Sequence, residues 1–226
     1  MTFSLDDLGV FGNDVGYGYL DRAIRAPRSF HPQLVLNTET TSMLRALRDE
    51  LKRSSSFTFS VAFVSPRAIA LLKQELSEFV GSGTIITSDY LGFNSPAAFY
   101  ELLNLRRFGI DVRLHSESAF HPKGYVFRGS DGVTAILGSS NLTENALVRN
   151  HEWNLRVSAS YQSNLADQFV NLVDEQILNS VPLTHAWVQE YAATYRPPPA
   201  RISRVTTVGV VAEPAVPSGI SPNSMQ

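Results

Sequence analysis

Over residues 56–64 the chain alternates strictly, with Phe57, Phe59, Val61 and Phe63 on one side and Thr58, Ser60 and Ala62 on the other, and then meets Ser65-Pro66. Successive side chains of a strand point to opposite faces, so this run is a strand buried on at least one face. Ser65-Pro66 is a helix start: a hydroxyl cap, then proline in the first turn, where its missing N–H leaves no bond unmade. The helix it opens extends to about residue 80 and stops at Gly81. A buried strand over 84–88 follows, then a loop over 89–94. Ser95-Pro96 repeats the start signal for a helix to about residue 108, ended by Gly109, and 110–115 is again a strand. Strands and helices that alternate in this way confine the chain to α/β architectures.

The remainder agrees. Leu44, Leu47 and Leu51 recur at helical spacing within 41–53. Two strands, 121–128 and 133–137, are joined by Gly129-Ser130-Asp131-Gly132, a hairpin signal. A short helix over 142–149 precedes a strand over 151–157, whose apolar side is marked by Trp153, Leu155 and Val157, with Trp153 expected in the core. Leu165, Phe169, Leu172, Val173 and Ile177 outline a longer helix, and 183–195 a last one. The expected domain is a mixed sheet over 31–196 with helices on both faces. Residues 1–30 read as an N-terminal arm carrying Arg22, Arg25 and Arg28. Residues 197–226 read as a linker, because six of the twelve prolines fall there.

Composition narrows the chemistry. The 226 residues include no cysteine, which excludes disulfides, thiolate nucleophiles and Cys-type zinc sites. No apolar run approaches the ~20 residues of a membrane span. The first seven residues are acidic rather than basic, so a cytoplasmic location is expected. The net charge of −2 gives no global sign of a nucleic-acid partner, so any such partner must be recognised locally. Basic residues are sixteen arginines and three lysines, Lys52, Lys73 and Lys123.

The chemistry-bearing stretch is His121-Pro122-Lys123, then Gly138-Ser139-Ser140-Asn141, then Glu152. Residues two apart in a strand share a face, so His121 and Lys123 point the same way. The hairpin brings Ser139 and Asn141 to the far end of the neighbouring strand, near His121. Glu152 has the parity opposite to Trp153, Leu155 and Val157, which can put its carboxylate on the face of His121. Such a set suits attack on a phosphodiester. A histidine held in one tautomer by a carboxylate can form a covalent intermediate. Lys, Ser and Asn can hold the non-bridging oxygens, and the compact ammonium of Lys123 is a good phosphate clamp.

At these residues the sequence resembles the phospholipase D superfamily, whose signature is H-x-K followed by G-S-x-N. The resemblance implies that His121 is the nucleophile, that Lys123 and Asn141 bind phosphate with Ser139 assisting, and that Glu152 orients the histidine. It implies no metal and no cofactor, ATP entering only with an attached helicase. Many members carry Asp five residues after the Lys, where this chain has Arg128. That departure points away from lipid substrates and towards the nuclease branch of metal-independent restriction endonucleases and helicase-fused proteins. The stretches SFTFSVAFVS, TSDYLGFNSP, FHPKGYVF, AILGSSNL and NHEWN resemble the N-terminal nuclease domain of bacterial superfamily 2 helicases over about residues 31–195. Residues 221–226 likewise look like the approach to a helicase core. A single H-x-K supplies half an active site, so the resemblance implies a homodimer pairing two His121 side chains.

DNA is therefore the expected partner, and a DNA nuclease the expected activity. The alternative of another class is a non-catalytic module that keeps the phosphate pocket to recruit DNA, with phospholipid hydrolysis a third possibility. Asp89 and Tyr90 follow a strand end and either line the pocket or simply cap and pack; Ser140 and Arg128 complete the candidate substrate-binding set. Arg106, Arg107, Arg113 and Arg128 are candidates for DNA backbone contacts, against solvated helix surface as the alternative for the first two. His115 and His151 are structural rather than metal ligands, since the carboxylates of a metal shell are missing.

Overall fold

The alternating run is the strand about which the sheet is organised. The computed structural model describes residues 32–115 and 119–197, together with Gly12. Among these residues the chain forms β1 (Gln33–Val35), α1 (Met43–Leu51), β2 (Ser54–Val61), α2 (Pro66–Glu78), β3 (Ser82–Thr87), α3 (Pro96–Leu105) and β4 (Ile110–His115). It continues with β5 (Lys123–Gly129), β6 (Val133–Gly138), α4 (Glu144–Val148), β7 (Asn154–Ala159), α5 (Asn164–Leu178), β8 (Ser180–Pro182) and α6 (His185–Thr194). The arm expected over 1–30 and the linker expected over 197–226 lie outside the described residues, apart from Gly12 and Pro197.

The strands make one eight-stranded sheet in the order β1-β7-β6-β5-β2-β3-β4-β8. β2, β3 and β4 run parallel because α2 and α3 carry the chain back between them. β5, β6 and β7 are antiparallel, joined at the expected hairpin. The serine caps form as the sequence requires: Ser65 and Ser95 accept the N–H groups of Ala68 and Ala98. The mixed α/β sheet with helices on both faces is thus the architecture found.

Parity decides which face is which. Phe57, Phe59 and Val61 of β2, with Tyr125 and Phe127 of β5, pack beneath α1–α4 and α6 against Leu47, Leu72, Phe99 and Leu102. The other face meets α5, where Val126, Val133, Ala135, Val157 and Ala159 contact Phe169 and Val173. That second cover is incomplete. Trp153 was expected in the core, but α5 reaches Val157 and Ala159 and not the end of the sheet where Trp153 emerges, so the indole is 78% exposed. Leu137 and Leu155, paired across β6 and β7, are exposed beside it.

Two strands also start later than their sequence patterns suggest. β5 begins at Lys123, since Pro122 has no N–H to give the ladder, although its carbonyl still accepts the Ala62 N–H at 3.0 Å. β7 begins at Asn154, which leaves Glu152 and Trp153 in the segment before it. The edge strands β1 and β8 have three residues each, too few for an alternation to be read.

Gly138 ends β6 where the β7 backbone comes closest. A Cβ on it would lie 2.2 Å from the Trp153 carbonyl oxygen and 2.6 Å from Asn154 Cα, backbone atoms that cannot move aside singly. Gly124, by contrast, has Leu137 Cδ2 as nearest neighbour at 3.4 Å. Gly138→Ala is expected to destabilise the fold by about 1–3 kcal/mol through overpacking, and Gly124→Ala by much less. Equal urea midpoints for the two variants would contradict this account of the β6–β7 approach.

Candidate active site

The parallel strands β2, β3 and β4 end at the same side of the sheet at which β6 ends and β5 and β7 begin, so the loops of six strands meet there. His121 lies in the loop entering β5. It is anchored by buried Phe120, which stacks on His115 at 4.4 Å between ring centroids and whose carbonyl accepts the Ser88 hydroxyl at 3.5 Å. The imidazole is exposed and stands edge-on to Phe63 and Tyr90, with centroids 5.2 and 6.0 Å away.

Lys123 shares the face of His121, as the spacing predicts. Its Nζ lies 3.0 Å from His121 Nδ1 and 3.5 Å from Nε2. An ammonium only donates, so the ring nitrogen facing it accepts. Partial burial lowers the Lys123 pKa from its ordinary value, and the nearby Glu152 carboxylate opposes that shift.

Glu152 accepts hydrogen bonds from the Ser139 hydroxyl and from Asn150 Nδ2, the latter at 3.2 Å. The described bonds of this carboxylate therefore run to Ser139 and Asn150, while the His121 ring faces Lys123. The Ser139 hydroxyl also accepts the Trp153 N–H at 3.0 Å, which fixes the segment carrying Glu152. Asn141 Oδ1 accepts the Phe63 N–H at 3.3 Å, so its Nδ2 is the end of the amide left to donate outward. His121, Lys123, Ser139, Asn141 and Glu152 accordingly gather at one end of the sheet.

Two other candidates are elsewhere. Ser140 is fully buried and consumed by structure: its N–H donates to Asn154 Oδ1 at 3.1 Å, its Oγ accepts Asn154 Nδ2 at 2.9 Å, and its carbonyl accepts the Tyr125 hydroxyl at 3.0 Å. Arg128 is at the opposite end of β5, five residues from Lys123 and so on the other face, where it pairs with Asp174 of α5 at 2.9 Å. Neither can be a substrate ligand of the His121 site. Arg106 and Arg107 follow α3 as it returns to that remote end, where Arg106 bonds the Leu183 carbonyl and Arg107 lies over Phe108. Arg113 is held by Asp111 and Ser180. Asp89 is exposed and Tyr90 half-buried on the loop after β3, the latter beside His121. His151 is exposed in the segment before Glu152. Among the described residues no three His, Asp or Glu side chains gather into a set able to hold a metal ion.

Two asparagines that sequence reasoning passed over position these loops. Asn154 Nδ2 also donates to the Val35 carbonyl at 3.3 Å, so one buried amide joins β1, β7 and the Ser139–Asn141 turn. Asn94 Oδ1 accepts the Val64 N–H at 2.7 Å, and its Nδ2 donates to Ala62 O, Thr87 Oγ1 and Ser88 O, tying the ends of β2 and β3. Tyr191 donates to the Asn94 carbonyl at 2.8 Å. Burial, with Tyr195 and Asp89 adding, pushes its pKa up to about 12, so it remains a donor throughout the neutral range. Burial likewise raises the Tyr125 pKa, and the Glu152 charge adds to that. The signal for Asn94 was its place just before the Ser95-Pro96 cap; Asn154 has the parity of Glu152, opposite to the apolar side of β7, and carried no such signal.

A protein-family model described as "Cardiolipin synthase, PLD-like domain" matches residues 47–176, a span that includes all five gathered residues. Among solved structures the chain is similar to a phospholipase D family member, Nuc from Salmonella typhimurium, at 19% identity and a TM-score of 0.54 over 67% of this chain and 96% of that one. It is also similar to NucT from Helicobacter pylori, at 16% identity and a TM-score of 0.51 over 67% of this chain and 98% of that one. At these identities the likeness is one of fold. No curated protein matches the chain.

Asn154→Ala removes the partners of the Ser140 N–H, the Ser140 hydroxyl and the Val35 carbonyl in a buried setting. The Ser140 hydroxyl keeps the Ala146 carbonyl at 3.5 Å, but the buried Ser140 N–H loses its acceptor at a cost of about 1–3 kcal/mol, so thermal and urea unfolding should both report a loss of at least that size. A variant as stable as the parent would remove Asn154 from its positioning role.

Proposed function

The chain belongs to the phospholipase D-like domain family, and we propose that this domain is a metal-independent phosphodiesterase acting on DNA, with His121 as its nucleophile. The observation that carries the reading is the 3.0 Å separation of Lys123 Nζ from the His121 ring. A phosphate oxygen held by that ammonium brings its phosphorus within reach of an imidazole nitrogen.

In this reading an unprotonated nitrogen of His121 attacks phosphorus, an N–P bond forms, and the P–O bond to the leaving deoxyribose oxygen breaks. Lys123 and the Nδ2 of Asn141 hold the non-bridging oxygens as charge develops on them. The Ser139 hydroxyl turns from Glu152 to the phosphate, and Glu152 keeps the local positive charge balanced. A proton must reach the leaving oxygen, and water then cleaves the N–P bond with the same groups acting in reverse.

One chain offers one such histidine, so the proton donor is proposed to be the His121 of a second copy related by a two-fold axis. Exposed Leu137 and Leu155 share the α5 face with Ala135 and Val157, opposite to Lys123, so this pairing rests on the resemblance rather than on that apolar patch. The wider role, as the nuclease of a helicase-linked repair or restriction protein, rests on the resemblance of residues 31–195 alone.

DNA incubated with the protein in excess EDTA, single- and double-stranded in separate reactions, should be cleaved at least in its single-stranded form, and His121→Ala should abolish cleavage. Binding without cleavage by either protein would overturn the nuclease in favour of a recruitment module. Lys123→Arg keeps the charge but replaces a compact clamp with a planar fork, and is expected to lower kcat/KM by about 100- to 1000-fold. Because its pKa is lowered, Lys123 gives up its proton earlier as pH rises than an ordinary lysine does. The alkaline limb of kcat/KM should therefore fall below the usual lysine range, and a limb at or above that range would contradict the role of Lys123.

A further inference from the structure

Phe63, Tyr90 and Phe93 come from two separate loops and meet beside the candidate nucleophile. Phe63 and Tyr90 stand edge-on to the His121 ring, at 76° and 71° between planes. Phe93 packs on Phe63 with centroids 4.8 Å apart. Yet Phe93 remains 50% exposed, and Leu91 before it 64% exposed.

The chain is strained to hold this arrangement. Leu91, at φ 56°, is the one non-glycine residue with positive φ among the described residues, and Gly92 follows at φ 63°. The two successive left-handed residues turn the chain so that Phe93 meets Phe63. Side chains with a Cβ are disfavoured there, and an exposed leucine and phenylalanine recover little by burial. The loop is nevertheless fixed at both ends, by Gly92 N–H to Asp89 O at 2.9 Å and by the four hydrogen bonds of buried Asn94. Strain kept in place by rigid surroundings, next to a reactive group, points to a binding role.

We infer that Phe63, Tyr90 and Phe93 form a stacking platform for a nucleobase, and that the substrate of this site is single-stranded nucleic acid. The inference rests on the reading of His121 and Lys123 as the phosphate site. Every base has a π-face, and in a single strand that face is free to leave its neighbours and lie on an aromatic ring. In a duplex the same faces are occupied by base stacking. A phosphate at Lys123 would leave its adjoining base within reach of the Phe63–Phe93 pair, since the Phe63 centroid is 5.2 Å from that of the imidazole.

The test is fluorescence anisotropy in the non-cleaving His121→Ala background, taken as wild type at Phe93, with a labelled DNA single strand, the same strand carrying abasic sites, and its duplex. Wild-type protein should bind the base-bearing single strand more tightly than either of the others. Phe93→Ala should narrow the gap between base-bearing and abasic strands by about 10-fold or more, and Phe93→Trp should preserve it. Equal loss on base-bearing and abasic strands, together with altered sedimentation, would assign the ring to contact between copies and overturn the inference. So would wild-type binding by Phe93→Ala. Cleavage without base dependence would remove the platform and leave the nuclease standing; base-dependent binding without cleavage would do the reverse.

Discussion

The candidate site depends on one buried amide. The turn after β6 must leave a crowded sheet, carry Ser139 and Asn141 outward, and return to α4 without stranding its own polar groups. Asn154 makes that possible by satisfying both the N–H and the hydroxyl of Ser140 while reaching Val35 of β1. Gly138 supplies the clearance. Ser139 can then meet Glu152, and Asn141 can fasten to Phe63 at the end of β2.

Asn94 does the same for the other half of the site. Its four bonds join the ends of β2 and β3 and set the 89–94 loop against His121. The gathered side chains are thus short extensions of the sheet, and the polar network beneath them ties together the loops that carry them. Net charge has little part in this: the positive character of the site is concentrated in Lys123, with Glu152 as its local counterweight.

Much of this was legible in the sequence because it follows from period and capping. The alternation at Phe57–Phe63 and the two Ser-Pro starts define the parallel half of the sheet, and the Gly129–Gly132 turn defines its antiparallel half. His121 and Lys123 share a face because they are two apart. The same parity would have removed Arg128, which is five residues from Lys123 and therefore on the other face. Other features have no local signature. The alternation of Trp153, Leu155 and Val157 names a side of β7, but not how far α5 extends over it. Asn94, Asn154 and Ser140 are polar residues that read as loop chemistry until burial is known. Phe63 and Phe93 are thirty residues apart, so their meeting beside His121 is a tertiary event.

The central claim is that His121 itself becomes bonded to phosphorus. Protein quenched in denaturant during turnover of single-stranded DNA in EDTA, then digested and analysed by mass spectrometry, tests this directly. The account predicts a phosphoramidate-linked nucleotide on His121, stable to alkali and labile to acid, and absent from His121→Ala. Cleavage that proceeds with no adduct, or an adduct and cleavage that survive in His121→Ala, would contradict it.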